Sequence, residues 1–305
     1  MKAVIIANEK SSWDLCGKSV IEKLIEELSY HFDEIYVYPA RYRKIVRDEN
    51  VKFLKSLKDF KERAFVVKGN AFIEELKLGG NIFRGSDGKI IAYIGKPSKR
   101  FDRKGRGKRI KGFEIEERKD IEKAVKLLAE KESRDIVATY ICGKITSFLS
   151  PSLCKAGYSP LQLYLVSFLL AFLSFLFYIP SKYIFAVFAG IFAMVSGMIE
   201  ESGRTLAKLK NDREFFAINI FSDFILLLGF TYFAWRIYGG VIPWILGFLA
   251  AMGVAGVEAI KAEGIIGRHL FILVMFIASI FYQPTMALLV LAIIMNGEAI
   301  RRLIK

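Results

Sequence analysis

Leu161-Gln-Leu-Tyr-Leu-Val-Ser-Phe-Leu-Leu-Ala-Phe-Leu-Ser-Phe-Leu-Phe-Tyr-Ile179 contains no charged residue, and it lies between Pro160 and Pro180. A helix rises about 1.5 Å per residue, so this run matches the roughly 30 Å hydrocarbon core of a bilayer. Three more runs follow. Tyr183 to Ile199 is the second, Phe215 to Trp235 the third, interrupted only by Asn219 and Asp223, and Ile237 to Val257 the fourth. The stretch His269 to Met295 carries Gln283-Pro284 in its middle, which makes it either one kinked helix or a tight hairpin.

Charge placement bears on the count, because cytoplasmic loops hold the Lys/Arg excess. With the N-terminus cytoplasmic, the inside loops are 200–214, with Arg204, Lys208, Lys210 and Arg213, and 258–268, with Lys261 and Arg268. The outside loops, 180–182 and 236–240, hold only Lys182 and Arg236. A hairpin at 269–295 also brings Arg301, Arg302 and Lys305 inside, whereas a single crossing puts them outside. Six helices with both termini cytoplasmic is the better count, in a multi-pass protein of the cell membrane. Trp235, Trp244, Tyr232 and Tyr238 fit an aromatic belt on the outer side. Gly247, Ala250, Gly253 and Gly256 permit close packing, inside the bundle in preference to a dimer seam.

The chain is 53% hydrophobic and 25% charged with a net charge of +14, but the two properties are segregated, most of the charge lying in residues 1–135. That excludes a single soluble domain, a disordered chain and a disulfide scaffold; no CxxC pair occurs, and no signal peptide is evident. The expected organisation is a cytosolic α/β domain at 1–134, an amphipathic interfacial helix at 135–158 and a membrane domain at 159–305. In the interfacial segment Ile141, Ile145, Phe148 and Leu149 recur at helical spacing between polar residues, which suits the headgroup layer. The alternative is a linker helix packed on the soluble domain.

In the charged half, Lys2-Ala-Val-Ile-Ile-Ala7, Glu34-Ile-Tyr-Val-Tyr38, Phe65-Val-Val-Lys68 and Lys89 to Ile94 read as strands. Gly17 to Tyr30 reads as a helix through Val20, Ile21, Leu24, Ile25 and Leu28, and 71–77 as a second. Alternation of this kind predicts a mostly parallel sheet with helices on both faces, and ligands beyond the carboxyl ends of its strands. Residues 96–111 form a basic loop with Lys96, Lys99, Arg100, Arg103, Lys104, Arg106, Lys108, Arg109 and Lys111 against Asp102 alone. Anionic lipid heads or a phosphate-bearing substrate would be attracted to it, and the plain alternative is a solvated loop. Nucleic acid is disfavoured, since Phe101 is the only ring there on which a base can stack.

Read together, several stretches resemble the CDP-alcohol phosphotransferase family of membrane enzymes. The nearest resemblance is to archaeal members with a nucleotidyltransferase domain in front, such as bifunctional inositol-phosphate cytidylyltransferase/di-inositol-phosphate-phosphate synthases. Asp135-Ile-Val-Ala-Thr-Tyr-Ile, Ile145-Thr-Ser and Gly157-Tyr-Ser-Pro160 are similar to the family's approach to its first crossing, where Ser159-Pro160-Leu161 keeps only the proline of a Thr-Pro-Asn. Glu200-Glu-Ser-Gly-Arg-Thr-Leu-Ala-Lys-Leu-Lys210 looks like the motif D-x-x-D-G-x-x-A-R. Ala207 matches its alanine; Lys208 stands for the arginine, Glu200 for the first aspartate, Gly203 for the second and Arg204 for the glycine. Counting on without gaps puts Ala217, Phe221 and Ile225 at the motif's next glycine and two aspartates, with Asp223 two residues off.

In the first half, Ala3-Val-Ile-Ile-Ala7 and Gly17-Lys-Ser-Val-Ile-Glu22 resemble the strand and the GKPLIE helix start of a nucleotidyltransferase. The intervening Asn8–Cys16 has neither the glycines nor the arginine of the GxGxR loop, and Asn70, in Val66-Val-Lys-Gly-Asn70, stands at the metal-binding aspartate.

The resemblance implies a Rossmann-like nucleotidyltransferase-type domain followed by an all-α six-helix membrane bundle, commonly dimeric. Family carboxylates hold Mg²⁺ on the pyrophosphate of a CDP-alcohol while an acceptor hydroxyl attacks and CMP leaves. The stand-ins here are Glu200, Glu201 and Asp223, with Glu214, for metal; Glu200 and Asp223 for catalysis; and Lys208, Arg204 and Lys210 for phosphate. Loss of metal carboxylates at two independent sites favours a non-catalytic relative that acts as a partner or regulator, in a homodimer or beside an active homologue. An active phosphotransferase with unusual ligands and an unrelated transporter are the alternatives. The remaining residues read as structural, with His269 an interfacial anchor and Glu258 and Glu263 paired with Lys261 and Arg268 at the headgroup layer.

Overall fold

Lys2–Ile6 forms β1, a strand whose central residues have no solvent exposure. In the computed structural model the described residues are all except 49, 103–106, 132–142, 211, 213–215, 261–266 and 305. The sequence readings at Arg103, Lys104, Arg106, Asp135, Ile141, Arg213, Glu214, Lys261, Glu263 and Lys305 lie outside them. Contacts divide the chain into two units, Met1–Leu128 and Ala129–Lys305.

In the first unit β1 pairs in parallel with β2 (Glu34–Tyr38) and with β4 (Ala64–Lys68), and β2 with β3 (Val51–Phe53). Helix α1 (Val20–Ser29) follows β1 as expected. Ser19 and Glu22 cap it reciprocally, and Val20, Ile21, Leu24, Ile25 and Leu28 are its buried stripe. That stripe shares one core with Ile5, Val37, Phe65 and Val67 of the sheet. Gly69, just past β4, approaches β1 so closely that a Cβ would lie 2.6 Å from the Ala7 Cα.

The rest of the sheet departs from the expected alternation. Residues 71–77 are not a helix: Ala71–Glu75 is strand β5, paired antiparallel with β9 (Lys111–Glu114) in a separate two-stranded ribbon. Phe72, Ile73 and Leu76 have helical spacing, but Phe72 packs on Phe113 across the ribbon and Ile73 joins the sheet core. Tertiary pairing overrides a short ambiguous pattern. The chain then adds β6 (Ile82–Arg84), β7 (Ile90–Gly95) and β8 (Lys108–Arg109) without an intervening α-helix among the described residues. The sheet order is β3-β2-β1-β4-β7-β6-β8, with β7 antiparallel to both neighbours, so the sheet is mixed. The end of the basic loop is thus strand, at Lys108, Arg109 and Lys111. Helix α2 (Arg118–Lys131) follows β9.

The second unit is helical: α3 (Gly143–Lys155), α4 (Pro160–Tyr178), α5 (Tyr183–Lys210), α6 (Phe216–Tyr238), α7 (Ile242–Ala259), α8 (Arg268–Phe281) and α9 (Pro284–Ile304). Four of these, α4 to α7, are long and apolar enough to cross a membrane, while α8 is a shorter apolar helix. Residues 269–295 are two helices, because Tyr282 adopts a left-handed conformation and Pro284 starts α9. Gly190 packs on Ser279 and Gly197 on Ile272, so α8 runs against α5, whereas Gly253 beside Met295 and Gly256 beside Ala299 set α9 parallel to α7. The chain therefore reverses between α8 and α9.

The packing is that of a bundle made for an apolar solvent. Small and hydroxylated residues face inward: Ser167 and Ser196 each donate to the other's carbonyl, and Ser174 donates to that of Ala189, which zips α4 to α5. Leu169, Ile184, Phe221, Phe248 and Ile293 face outward. Gly247 lies against Thr231, so this glycine and those facing α9 pack inside the bundle. Trp235 makes tilted ring contacts with both Tyr232 and Trp244 at one end. Helix α3 packs on α5, buries Thr146, Ser147 and Ser150, and leaves Ile145, Phe148 and Leu149 exposed.

Candidate functional site

The end of the bundle opposite the tryptophans holds a buried charged cluster. Glu200, Glu201 and Arg204 come from the last turns of α5, Asn219 and Asp223 from the start of α6, Glu258 from the end of α7, and Arg268 and His269 from the start of α8. These termini meet because antiparallel neighbours bring alternate helix ends together. The same geometry carries α5 past its apolar stretch, so that a polar turn can be packed among the other helices.

Arg268 is the centre. It is only 2% exposed, and its guanidinium pairs with Glu200 through Nη1 and with Asp223 through Nε. Arg204 lies 3.5 Å from Glu200 and 3.6 Å from Glu258 through Nη2, and 4.0 Å from Glu201 through Nη1. His269 Nε2 is 3.6 Å from the Glu201 carboxylate, and it too is buried. Carboxylates and guanidiniums therefore alternate from α7 through α5 and α8 to α6. Each of these acids has a guanidinium beside it, Asp223 Oδ2 and Arg268 Nη2 make no hydrogen bond among the described residues, and loss of Arg268 leaves Asp223 without its ion pair in a poor solvent for charge.

Several sequence readings are corrected by this arrangement. Arg268 does not sit at the headgroup layer with Glu258; it is inside the bundle with Glu200 and Asp223, and Glu258 pairs with Arg204. His269 is not an interfacial anchor but a buried neighbour of Glu201. Asp223 is held by Arg268, not by Lys208 or Lys210. Lys210 donates to the Tyr158 carbonyl at 2.7 Å, tying α5 to the turn before α4, and Lys208 is half-buried one turn beyond Arg204.

On α6 Phe221 points outward and Asp223 inward, where Arg268 lies between it and Glu200. Asn219, four residues before Asp223 and on the same helix face, is buried as well and was passed over. Its signal was available, since an amide and an acid four residues apart in an apolar run mark one polar stripe.

The donor set does not fit a divalent cation. Glu200 and Asp223 are the carboxylates two helices bring together, and the cation between them is the Arg268 guanidinium. Among the described residues no group of three or more His, Cys, Asp or Glu side chains could hold a metal ion. The cavity beside Asp223 and Glu258, about 10 Å³, accommodates no more than a water-sized molecule, whereas ligand clefts run to several hundred. The chain matches no known protein family, and no curated protein matches it.

In the first unit, Asn70 is buried and structural. Its Nδ2 donates to the Ile115 carbonyl at 2.9 Å and to Glu114 at 3.2 Å, fastening the β4–β5 turn to the end of β9. The loop after β1 is a short 3-10 turn, Glu9–Ser12, in which Asn8 and Ser11 cap each other and so occupy the backbone donors of both.

Proposed function

We propose that this chain is a membrane-embedded relative of the CDP-alcohol phosphotransferases that no longer carries out metal-dependent transfer and serves as a partner or regulator within the membrane, as a homodimer or beside an active homologue. The observation that carries the reading is Arg268 between Glu200 and Asp223. In the enzymes this chain resembles, carboxylates from two helices face one another across metal. Here carboxylates from α5 and α6 face one another across a guanidinium, and Asn219 and Asp223 keep a four-residue spacing on α6. A fixed cation about 4 Å from an incoming one repels it by roughly 4 kcal/mol per unit of charge at an effective dielectric near 20. Mg²⁺, doubly charged and demanding oxygen ligands in an octahedron, would meet that repulsion twice over and find both carboxylates engaged.

The membrane reading that goes with this has six spans, α4 to α9, with both termini cytoplasmic and the charged cluster at the cytoplasmic mouth. It is supported by the reversal between α8 and α9 and by the cations of 200–214 and of the C-terminal Arg301 and Arg302. The decisive assay is release of CMP by purified protein given Mg²⁺ and CDP-alcohol donors. No release above background is expected. Robust release that Glu200→Ala abolishes would establish an active enzyme with unusual ligands instead.

A further inference from the structure

The basic loop after β7 has a destination that the reading of the helical cluster leaves unused. Lys99 and Phe101 line a cleft of about 760 Å³ at the carboxyl ends of β1, β2 and β4, where open α/β sheets bind ligands. Lys10, Arg41 and Lys68 line it too, so three separate segments and a strand end deliver cations to one concavity. Two are held in place by rings: Lys99 sits 5.4 Å from the Tyr38 ring centre and Lys68 5.4 Å from that of Phe101.

We propose that this cleft binds a small organic phosphate bearing two or more negative charges, and binds it through side-chain cations without a metal ion. Of its two carboxylates, Glu114 is engaged by Lys68 at 2.6 Å and by Asn70 at 3.2 Å, leaving only Glu9 to set against Lys10, Arg41 and Lys99. That surplus of positive charge in a concave site is what a phosphate dianion recognises. The volume exceeds that of inorganic phosphate and falls within the range of small-molecule sites, so the ligand carries an organic part. Glu9 and the Glu114 oxygens are acceptors for hydroxyl groups on it. A lipid surface fits less well, because a cleft presents its cations inward whereas a membrane needs them on a convex or flat face.

The test uses the full chain in phosphatidylcholine nanodiscs with EDTA present, and isothermal titration with glycerol 3-phosphate, glucose 6-phosphate, uridine monophosphate and inorganic pyrophosphate. Saturable one-site binding of at least one organic phosphate is expected, tighter than pyrophosphate and weakened at least tenfold by Arg41→Ala and by Lys99→Ala. Both side chains are exposed, so the variants keep the fold, and Lys55→Ala is the control expected to bind as the parent does. No saturable binding, a requirement for Mg²⁺, or insensitivity to both substitutions would overturn the proposal. Binding to phosphatidylserine nanodiscs that Lys99→Ala abolishes, with no small phosphate bound, would replace it with a lipid surface. None of these outcomes bears on CMP release, so this site and the helical cluster are tested separately.

Discussion

Replacing Arg268 with methionine removes the one group that pairs with both Glu200 and Asp223 while keeping much of the side-chain volume. Glu200 retains Arg204 at 3.5 Å, but Asp223 loses its ion pair, and its Oδ2 already makes no hydrogen bond among the described residues. Breaking a buried pair by deleting one partner costs about 3–5 kcal/mol, since a charge remains uncompensated in a poor solvent. Arg268→Met should therefore lower the midpoint of reversible unfolding in mixed micelles by about 6–20 °C, at the 2–4 °C per kcal/mol usual for units of this size. The triple variant Glu200→Gln, Asp223→Asn, Arg268→Met leaves neutral side chains in the same space and should recover most of that loss, because a neutral replacement of a buried ion cluster is often tolerated. A single variant that melts within about 1 °C of the parent would refute the idea that this cluster fastens α5, α6 and α8. A triple variant as unstable as the single would refute the charge argument and leave only packing.

Three further outcomes follow from the same geometry. In Arg268→Ala the Glu200 and Asp223 carboxylates should face an open gap, so Mg²⁺ should raise the melting temperature of the variant and leave the parent unchanged; equal responses would count against the guanidinium as a stand-in for metal. Gly69→Ala places a methyl 2.6 Å from the Ala7 Cα and 2.7 Å from Ser11 Oγ, and should cost about 1–3 kcal/mol in chemical denaturation of the first unit; a neutral effect would mean β1 and β4 can separate. A hydrogen bond from Lys52, then one from Tyr36 and the charges of Lys52 and Lys2, hold the Glu34 carboxyl down at about 2. Its contribution to stability is therefore present above the ordinary carboxyl value near 4.5 and fades as pH falls toward 2, and Lys52→Ala should return its titration by NMR toward 4.5.

The reading of 71–77 shows where local pattern stops being informative. Ala71-Phe-Ile-Glu-Glu-Leu-Lys77 satisfies a short helical spacing and a short strand equally, and its partner β9 lies more than thirty residues away. Pairing with that partner decides between them, and no window of local sequence contains it. The four long apolar helices α4 to α7, by contrast, were legible because a bilayer imposes length and hydropathy on each segment independently. The candidate cluster falls between these cases. Glu200, Glu201 and Asp223 stood out as acids in or beside apolar runs, but Arg268 and His269 looked like ordinary flanking residues, and Asn219 like a mere interruption.

The amino-acid sequence by itself determined the split into a charged α/β half and an apolar helical half, and the strand–helix start, since each follows from periodicity, capping residues and the absence of charge over a fixed length. Only the tertiary structure decided which cation answers which acid. An ion pair depends on where helix ends converge, and Glu200, Asp223 and Arg268 are far apart along the chain yet adjacent once α8 is laid against α5.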